Sequence, residues 1–378
     1  MAKINVRSPY YVYKTQTKLQ SAILNIWIYS GTQTTSRPAA ATYTLRSFAI
    51  NEAVNYEIAE LVRDYMTYSA ESYETPIVWV DYQLTKVVAG VTSTETLVAN
   101  KGFYGFGYFE DGYNPQLNAD FLQSNKTIVK LDDAPIYLPI DTNRVTEVSF
   151  YHNNEKVYEQ NFSPNTNSDN QIQYVTNTDS PADRFRDRVL SFNQGSGPGI
   201  FEGSICFDEF SNEIEVFPVD TIYVYSLYNS GGGREIKVKN IEECKYEPYK
   251  ISFINKYGAL QDIWFFKTSS KELTTKRESF KRNTLVANNY SLNEHQDKNL
   301  YKRGNEKMSL NTGFYPEEYN EVFKQMQLSE DAWIRIDGKS LPINITDSGF
   351  GYKTSLNDKL INYNIKIEFA FDTINNIR

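Results

Sequence analysis

The stretch Tyr249–Phe266, YKISFINKYGALQDIWFF, constrains this chain more than any other. It reads as strand, tight turn, strand. Tyr249, Ile251 and Phe253 fall on one side of a period-2 pattern, with Lys250 and Ser252 on the other. Gly258 supplies the reversal, because glycine enters positive φ without steric cost. Ile263-Trp264-Phe265-Phe266 is then a short apolar run that suits a strand covered on both faces. No residue typical of catalysis stands out in it, so the densest signal in the sequence is architectural.

The same short-strand punctuation recurs along the 378 residues, a length that allows two or three domains. Ala22, Leu24, Ile26 and Ile28 alternate with Ile23, Asn25, Trp27 and Tyr29, and Ser30-Gly31 ends that strand. Residues 43–45, 55–58 and 78–84 read as further strands. Ile58, Leu61, Val62 and Tyr65 have the spacing of one short amphipathic helix. These features predict a first β-sandwich-like module over residues 1–129. Within it, GFYGFGYFEDGYNP at 102–115 is a glycine-aromatic loop. Its glycines do not follow a phosphate-cradling pattern, so a structural or contact loop is expected. Phe103, Tyr104, Phe106, Tyr108 and Tyr113 are its candidate interaction residues.

A second β-rich module is expected over 130–244. Ile136–Ile140 and Val145–Tyr151 read as strands, Asn153-Asn154 turns the chain, and Lys156–Asn161 returns as a hairpin. Arg184, Arg186 and Arg188 alternate with apolar residues, which makes a basic strand face or, more simply, a solvated one.

The third module, 245–378, opens with the Tyr249–Phe266 hairpin. Ser270–Asn283 alternates like a long exposed strand. Pro316–Leu328 reads as a helix with Pro316 at its first position, Glu317 and Glu318 at its positive end, and Tyr319, Val322, Phe323 and Met326 on one face. Asp337-Gly338 marks a hairpin between 333–336 and 341–346. Ile361, Tyr363, Ile365, Ile367, Phe369 and Phe371 predict one closing strand of roughly 35 Å. Phe253, Trp264, Phe266, Phe323 and Phe369 are expected to share this module's core. The fold class is therefore mainly β: two β-sandwich-like modules, then a β-sheet module with one packed helix.

Composition narrows function mostly by exclusion. Net charge is −8 and the isoelectric point about 5.1, so no general footprint for nucleic acid is present. Aromatics reach 15%, with 29 Tyr and 22 Phe, as suits β-rich contact surfaces. Cys206 and Cys244 form neither a disulfide framework nor a metal spacing. The opening residues lack a secretory signal pattern, and no apolar run approaches the roughly 18 residues of a membrane span. His152 and His295 stand in polar surroundings without a nucleophile motif. The adjacent carboxylates Glu110-Asp111, Asp132-Asp133, Glu317-Glu318 and Glu330-Asp331 suit solvation or helix capping. The polar loop 165–179 lacks calcium-loop spacing. No catalytic, cofactor-binding or metal-ligating residue is assigned, and an enzyme is not expected.

The third module resembles virion proteins of tailed bacteriophages. The likeness rests on Phe253-Ile254-Asn255-Lys256-Tyr257-Gly258 with Asp262 and Trp264-Phe265, on Leu310-Asn311-Thr312, and on the Pro316–Leu328 helix with the 329–333 segment. Pro342–Asp347 and Lys353–Leu360 complete it. The order strand–turn–strand, polar ribbon, helix, hairpin, long strand is similar to that of tail-tube, distal-tail and baseplate-ring proteins. The resemblance covers the last third of the chain. It implies a structural protein, made in a host cytoplasm and located in the virion, that builds a ring or connector at the tail tip or baseplate. Its expected partners are other virion proteins and copies of itself, with no cofactor, small-molecule substrate, membrane or direct nucleic acid contact. Two alternatives stay open: a collar, portal-adjacent or capsid-decoration protein, and an adhesin that stacks the 103–113 aromatics on a host glycan.

Overall fold

The computed structural model describes every residue except 68–72, 74–76, 165–170, 180–203, 208–212, 229–231, 286–288, 290, 348–350, 352–359 and 375–378. The chain is mainly β and divides into two compact units. The first comprises Met1–Glu242, Ser252–Ile263 and Glu318–Ser329. The second comprises Glu243–Ile251, Trp264–Glu317 and Glu330–Arg378.

In the first unit, a sheet runs in the order Lys3–Asn5, Val98–Phe103, Val78–Val88, Leu19–Tyr29, Tyr43–Phe48. Ala22, Leu24, Ile26 and Ile28 all point into the core, as their alternation requires. The strands Tyr11–Thr15 and Ala53–Glu57 pair with each other. The buried Tyr56 hydroxyl donates to the Ala22 carbonyl at 2.6 Å. Helix α1 is Ala59–Arg63, a single turn and a fraction, shorter than the Ile58–Tyr65 spacing suggested.

A second sheet of this unit runs Glu155–Asn161, Val145–His152, Thr221–Ser226, Arg234–Ile241, Thr127–Leu131. Its apolar face meets the paired strands Tyr137–Asp141 and Ile172–Thr176. Leu138, Ile140 and Val175 thereby share a core with Val148, Phe150, Val224 and Ile236. Sheet against sheet is the arrangement that buries one face of each. Asn153 and Asn154 both take positive φ, 51° and 66°, which twists the hairpin to match its strands.

Helix α2, Tyr319–Gln327, belongs to the first unit. Tyr319, Val322, Phe323 and Met326 are buried as expected. Pro316 is not at its first position. Tyr315–Pro316 instead forms a short strand against Leu360–Ile361, so the helix starts three residues later, after Glu318.

The hairpin Tyr249–Ile254 and Leu260–Phe265 is divided, with residues 252–263 in the first unit and the rest in the second. In the second unit, Ala332–Ile336, Lys339–Ile345, Asn364–Phe369, Asp297–Asn311 and Ser269–Lys281 run in that order as a sheet. Gly258 makes the turn with φ +79°. All six residues of Tyr249–Ile254 are buried, including Lys250 and Ser252, where alternation predicts a polar outer face. Ser252 accounts for its burial by donating to Asp262 at 2.6 Å. In the second unit, Asp337 and Gly338 turn the second hairpin with φ 50° and 74°.

The single long closing strand is not formed. Leu360–Ile361 and Asn364–Phe369 are separate, broken at Asn362-Tyr363. Thr312 brackets the break: its N–H donates to the Tyr363 carbonyl and its hydroxyl accepts from the Tyr363 N–H, each at 2.9 Å. The expected core aromatics are divided as well. Phe253 and Phe323 fall in the first unit; Trp264, Phe266 and Phe369 fall in the second, and Trp264 is only half-buried. α2 accounts for this, because the contacts of its own face reach residues 124–129 rather than following chain proximity.

Candidate functional site

The most distinctive surface of the second unit is a two-stranded ribbon. Ser269–Lys281 pairs antiparallel with Asp297–Asn311 from Ser269↔Leu310 to Lys281↔Asp297, about 40 Å of strand. The alternation in Ser270–Asn283 is that of a strand exposed on both faces, and nearly every residue of Ser269–Lys281 is exposed. Asn364–Phe369 covers the far edge of Asp297–Asn311 only over Lys307–Asn311, and Gly304 accepts from Thr373 N–H at 2.8 Å. Among the described residues, no strand pairs the outer edge of Ser269–Lys281 or that of residues 297–303.

Charge sets the ribbon apart. Ser269–Arg282 carries Lys271, Lys276, Arg277, Lys281 and Arg282 against Glu272 and Glu278. Residues 297–307 add Lys298, Lys302, Arg303 and Lys307 against Asp297 and Glu306. That is an excess of five positive charges in a chain whose net charge is −8. Leu273 and Leu300 stand exposed among them. A bare two-stranded ribbon is marginal in water, and free strand edges template further pairing.

Backbone groups of the opening hairpin are capped by side chains. In the second unit, the buried Tyr315 hydroxyl accepts from Trp264 N–H at 3.2 Å and donates to Trp264 C=O at 2.7 Å. In the first unit, the Tyr174 hydroxyl accepts from Leu260 N–H at 2.7 Å. Leu260 and Trp264 are thus each capped by a tyrosine within their own unit, and in the second unit the outer edge of the ribbon is left open among the described residues.

The glycine-aromatic loop of the first unit packs inward rather than outward. Phe103, Tyr104 and Phe106 are buried. The Arg63 guanidinium donates to the Tyr104 hydroxyl at 3.2 Å, and that of Arg7 lies 4.7 Å from the Phe106 ring. Tyr108 donates to Glu321 at 2.8 Å, with the Lys324 ammonium 3.7 Å above its ring. Of the five candidates only Tyr113 is well exposed, stacked on Tyr11 at 5.8 Å. Phe109, which the sequence reading did not single out, is fully exposed. The loop is held by backbone proximity: Phe106 N–H donates to Lys256 O at 2.9 Å. A Cβ on Gly258 would come within 2.9 Å of Gly105 N, and one on Gly105 within 2.5 Å of Lys256 O.

Beneath this turn lies an amide network that sequence reasoning missed. The fully buried Asn255 donates to Leu122 O at 2.7 Å and to Gln261 at 3.2 Å, and accepts from Tyr257 and Ala259 N–H. Gln261 donates to Asn125 at 3.0 Å, and Asn125 to the Tyr319 hydroxyl at 3.2 Å. Burial drives the Tyr319 hydroxyl well above the ordinary tyrosine range. No local pattern announces partners more than a hundred residues apart.

The remaining chemical candidates are structural in their contacts. His152 closes its strand with Nδ1 3.0 Å from Asp220. Asp111 accepts from Tyr108 N–H, and Glu318 from Lys126 and Thr127 N–H. His295 and Cys244 are exposed. Among the described residues, no group of three or more His, Cys, Asp or Glu is placed to hold a metal ion, and no helix is long and apolar enough to cross a membrane. Arg184, Arg186 and Arg188 lie outside the described residues.

The described residues form a multi-sheet β protein in which the outer edge of Ser269–Lys281 is open and basic. Compared with models of known protein families and with curated proteins, the sequence matches none.

Proposed function

We propose that this chain is a structural component of a tailed-phage virion, joining copies of itself and neighbouring virion proteins into a ring or connector at the tail tip or baseplate. The observation that carries the reading is the basic ribbon Ser269–Lys281 and Asp297–Asn311, with its outer edge open on an otherwise acidic chain. An open edge gains backbone hydrogen bonds from a second chain, and opposite charge steers the encounter. Closed rings arise when such a head-to-tail contact repeats through a fitting rotation. The resemblance of the last third to tail-tube and baseplate-ring proteins supplies the virion context. Collar, portal-adjacent and capsid-decoration positions use the same contacts.

Light scattering and negative-stain microscopy of the full chain test it. Rings or oligomers should form, weaken with salt, and disappear in Lys276→Glu/Arg277→Glu/Lys302→Glu while the melting temperature holds. A strictly monomeric protein at high concentration, together with its absence from virions by mass spectrometry, would overturn the reading. The exposed Tyr113–Tyr11 stack favours a second reading, a glycan-binding adhesin. Glycan-array binding lost on Tyr113→Ala supports it, and a blank array retires it.

A further inference from the structure

Ser269–Lys281 turns its backbone and its charge to the open edge in one phase. Gly304 is the cross-strand partner of Thr275, and its carbonyl accepts from Thr373 N–H at 2.8 Å, away from Thr275. Gly304 and Thr275 are therefore a non-hydrogen-bonded pair, and the N–H and C=O of Thr275 point to the open edge. At the far end of the ribbon, Arg282 N–H donates to Gln296 O at 2.8 Å, so Arg282 faces inward and Lys281 outward. The register shift between Glu278 and Ser279 places its extra residue, Leu300, on the partner strand, so the phase carries through. Lys271, Leu273, Thr275, Arg277, Ser279 and Lys281 thus direct their backbone groups outward, and among the described residues no strand pairs them.

Alternate residues share a face. Lys271, Arg277 and Lys281 stand together on one face, with Glu272 and Glu278 on the other. The partner strand adds Lys302 to the first face, and also Glu306 opposite Leu273 and Asp297 opposite Lys281. Four cations there meet two carboxylates. The conflict lies in the middle, where Arg277 and Lys302 are direct cross-strand partners. Like charges directly opposite destabilise a strand pair. Among the described residues neither forms an ion pair, whereas on the other face Arg303 lies 3.8 Å from Asp372 and Lys307 3.4 Å from Glu368. Lys271 is partly engaged, 5.8 Å from the Tyr249 ring.

From this phase we infer that the edge takes one acidic, extended strand of another polypeptide, with a carboxylate opposite Arg277. The pairing is antiparallel, as it is throughout the ribbon and between the ribbon and Asn364–Phe369. The added strand gives the outward N–H and C=O groups their partners. Its carboxylate relieves the Arg277–Lys302 conflict through charge-assisted hydrogen bonds. Further carboxylates fit opposite Lys271 and Lys281, and an apolar residue fits opposite the exposed Leu273. A phosphate chain supplies anions but no N–H for the outward carbonyls. The inference rests on the ribbon being the contact surface proposed above, and adds the chemistry of what it meets.

Fluorescence anisotropy of the full chain with the labelled peptide ETQTETQTLTETQ tests this. Paired antiparallel, its central glutamate falls opposite Arg277 and its leucine opposite Leu273. The isomer ETQTTEQTLTETQ moves that glutamate to the other face and should bind at least about threefold more weakly. Arg277→Gln should weaken the first peptide by a similar factor. Lys276→Gln, which removes the same charge from the other face, should not. In the wild-type chain the peptide should slow hydrogen exchange at Thr275 and Arg277 N–H and leave Lys276 N–H, which faces inward, unchanged. That readout needs no variant to fold. No peptide binding, equal binding of the isomer or of inorganic tripolyphosphate, equal effects of the two variants, or unslowed exchange at Thr275 and Arg277 would each overturn the inference. Rings that form while the peptide does not bind overturn it and leave the ring reading standing. A monomer that binds the peptide in this phase supports it and counts against the ring.

Discussion

The hydroxyl of Tyr315 serves both backbone polar groups of Trp264, accepting from its N–H at 3.2 Å and donating to its C=O at 2.7 Å. A side chain here stands in for a neighbouring strand. The backbone of Trp264 is therefore closed to pairing, and the ribbon's outer edge is open.

Tyr315→Phe tests that relationship. Tyr315 is fully buried, so the variant leaves the Trp264 groups without their partner at little change in volume. Stability to urea should fall by about 1–3 kcal/mol with an unchanged slope. Light scattering should also show added self-association, because a second edge becomes available.

Gly258 and Gly338 separate conformational strain from collision. Both take positive φ, +79° and +74°, but a Cβ on Gly338 meets nothing within 4 Å, whereas one on Gly258 meets Gly105 N and Tyr104 C and N at 2.9–3.0 Å. Each alanine variant should lose about 1 kcal/mol to left-handed strain. Gly258→Ala should lose a further 1–3 kcal/mol or so to overpacking. Thermal unfolding of the two variants side by side measures the difference.

Asn255→Ala should cost about 3 kcal/mol, more than an ordinary surface change, because it strips partners from Leu122 O, Tyr257 N–H, Ala259 N–H and Gln261 at once. Chemical denaturation gives the value. Hydrogen exchange should quicken at Tyr257 and Ala259 first.

Alkaline pH should destabilise the first unit through Tyr29. Burial pushes its hydroxyl from the ordinary value of 10.0 up to about 12, and the hydrogen bond to Asp81 adds to the rise. A folded-state value above the unfolded one gives stability that is full below pH 10 and lost as pH climbs toward 12. The melting temperature should drop across that interval, and Tyr29→Phe should flatten the drop.

The sequence by itself determined whatever depends on neighbours in the chain. Alternation in Leu19–Tyr29, the Asn153-Asn154 and Asp337-Gly338 turns, the Gly258 reversal and the exposed character of Ser269–Lys281 follow from side-chain period and backbone sterics, which act over a few residues. Tertiary structure decided the rest. It buried Lys250 and Ser252, which alternation had placed outside. It broke the closing strand at Tyr363, because Thr312 offered that backbone a partner. It turned Phe103, Tyr104 and Phe106 inward and left Phe109 out. It also assembled the Asn255 network from segments far apart in sequence. Burial, hydrogen-bond satisfaction and shared charge depend on which segments meet. No periodicity within one strand encodes its partner on another.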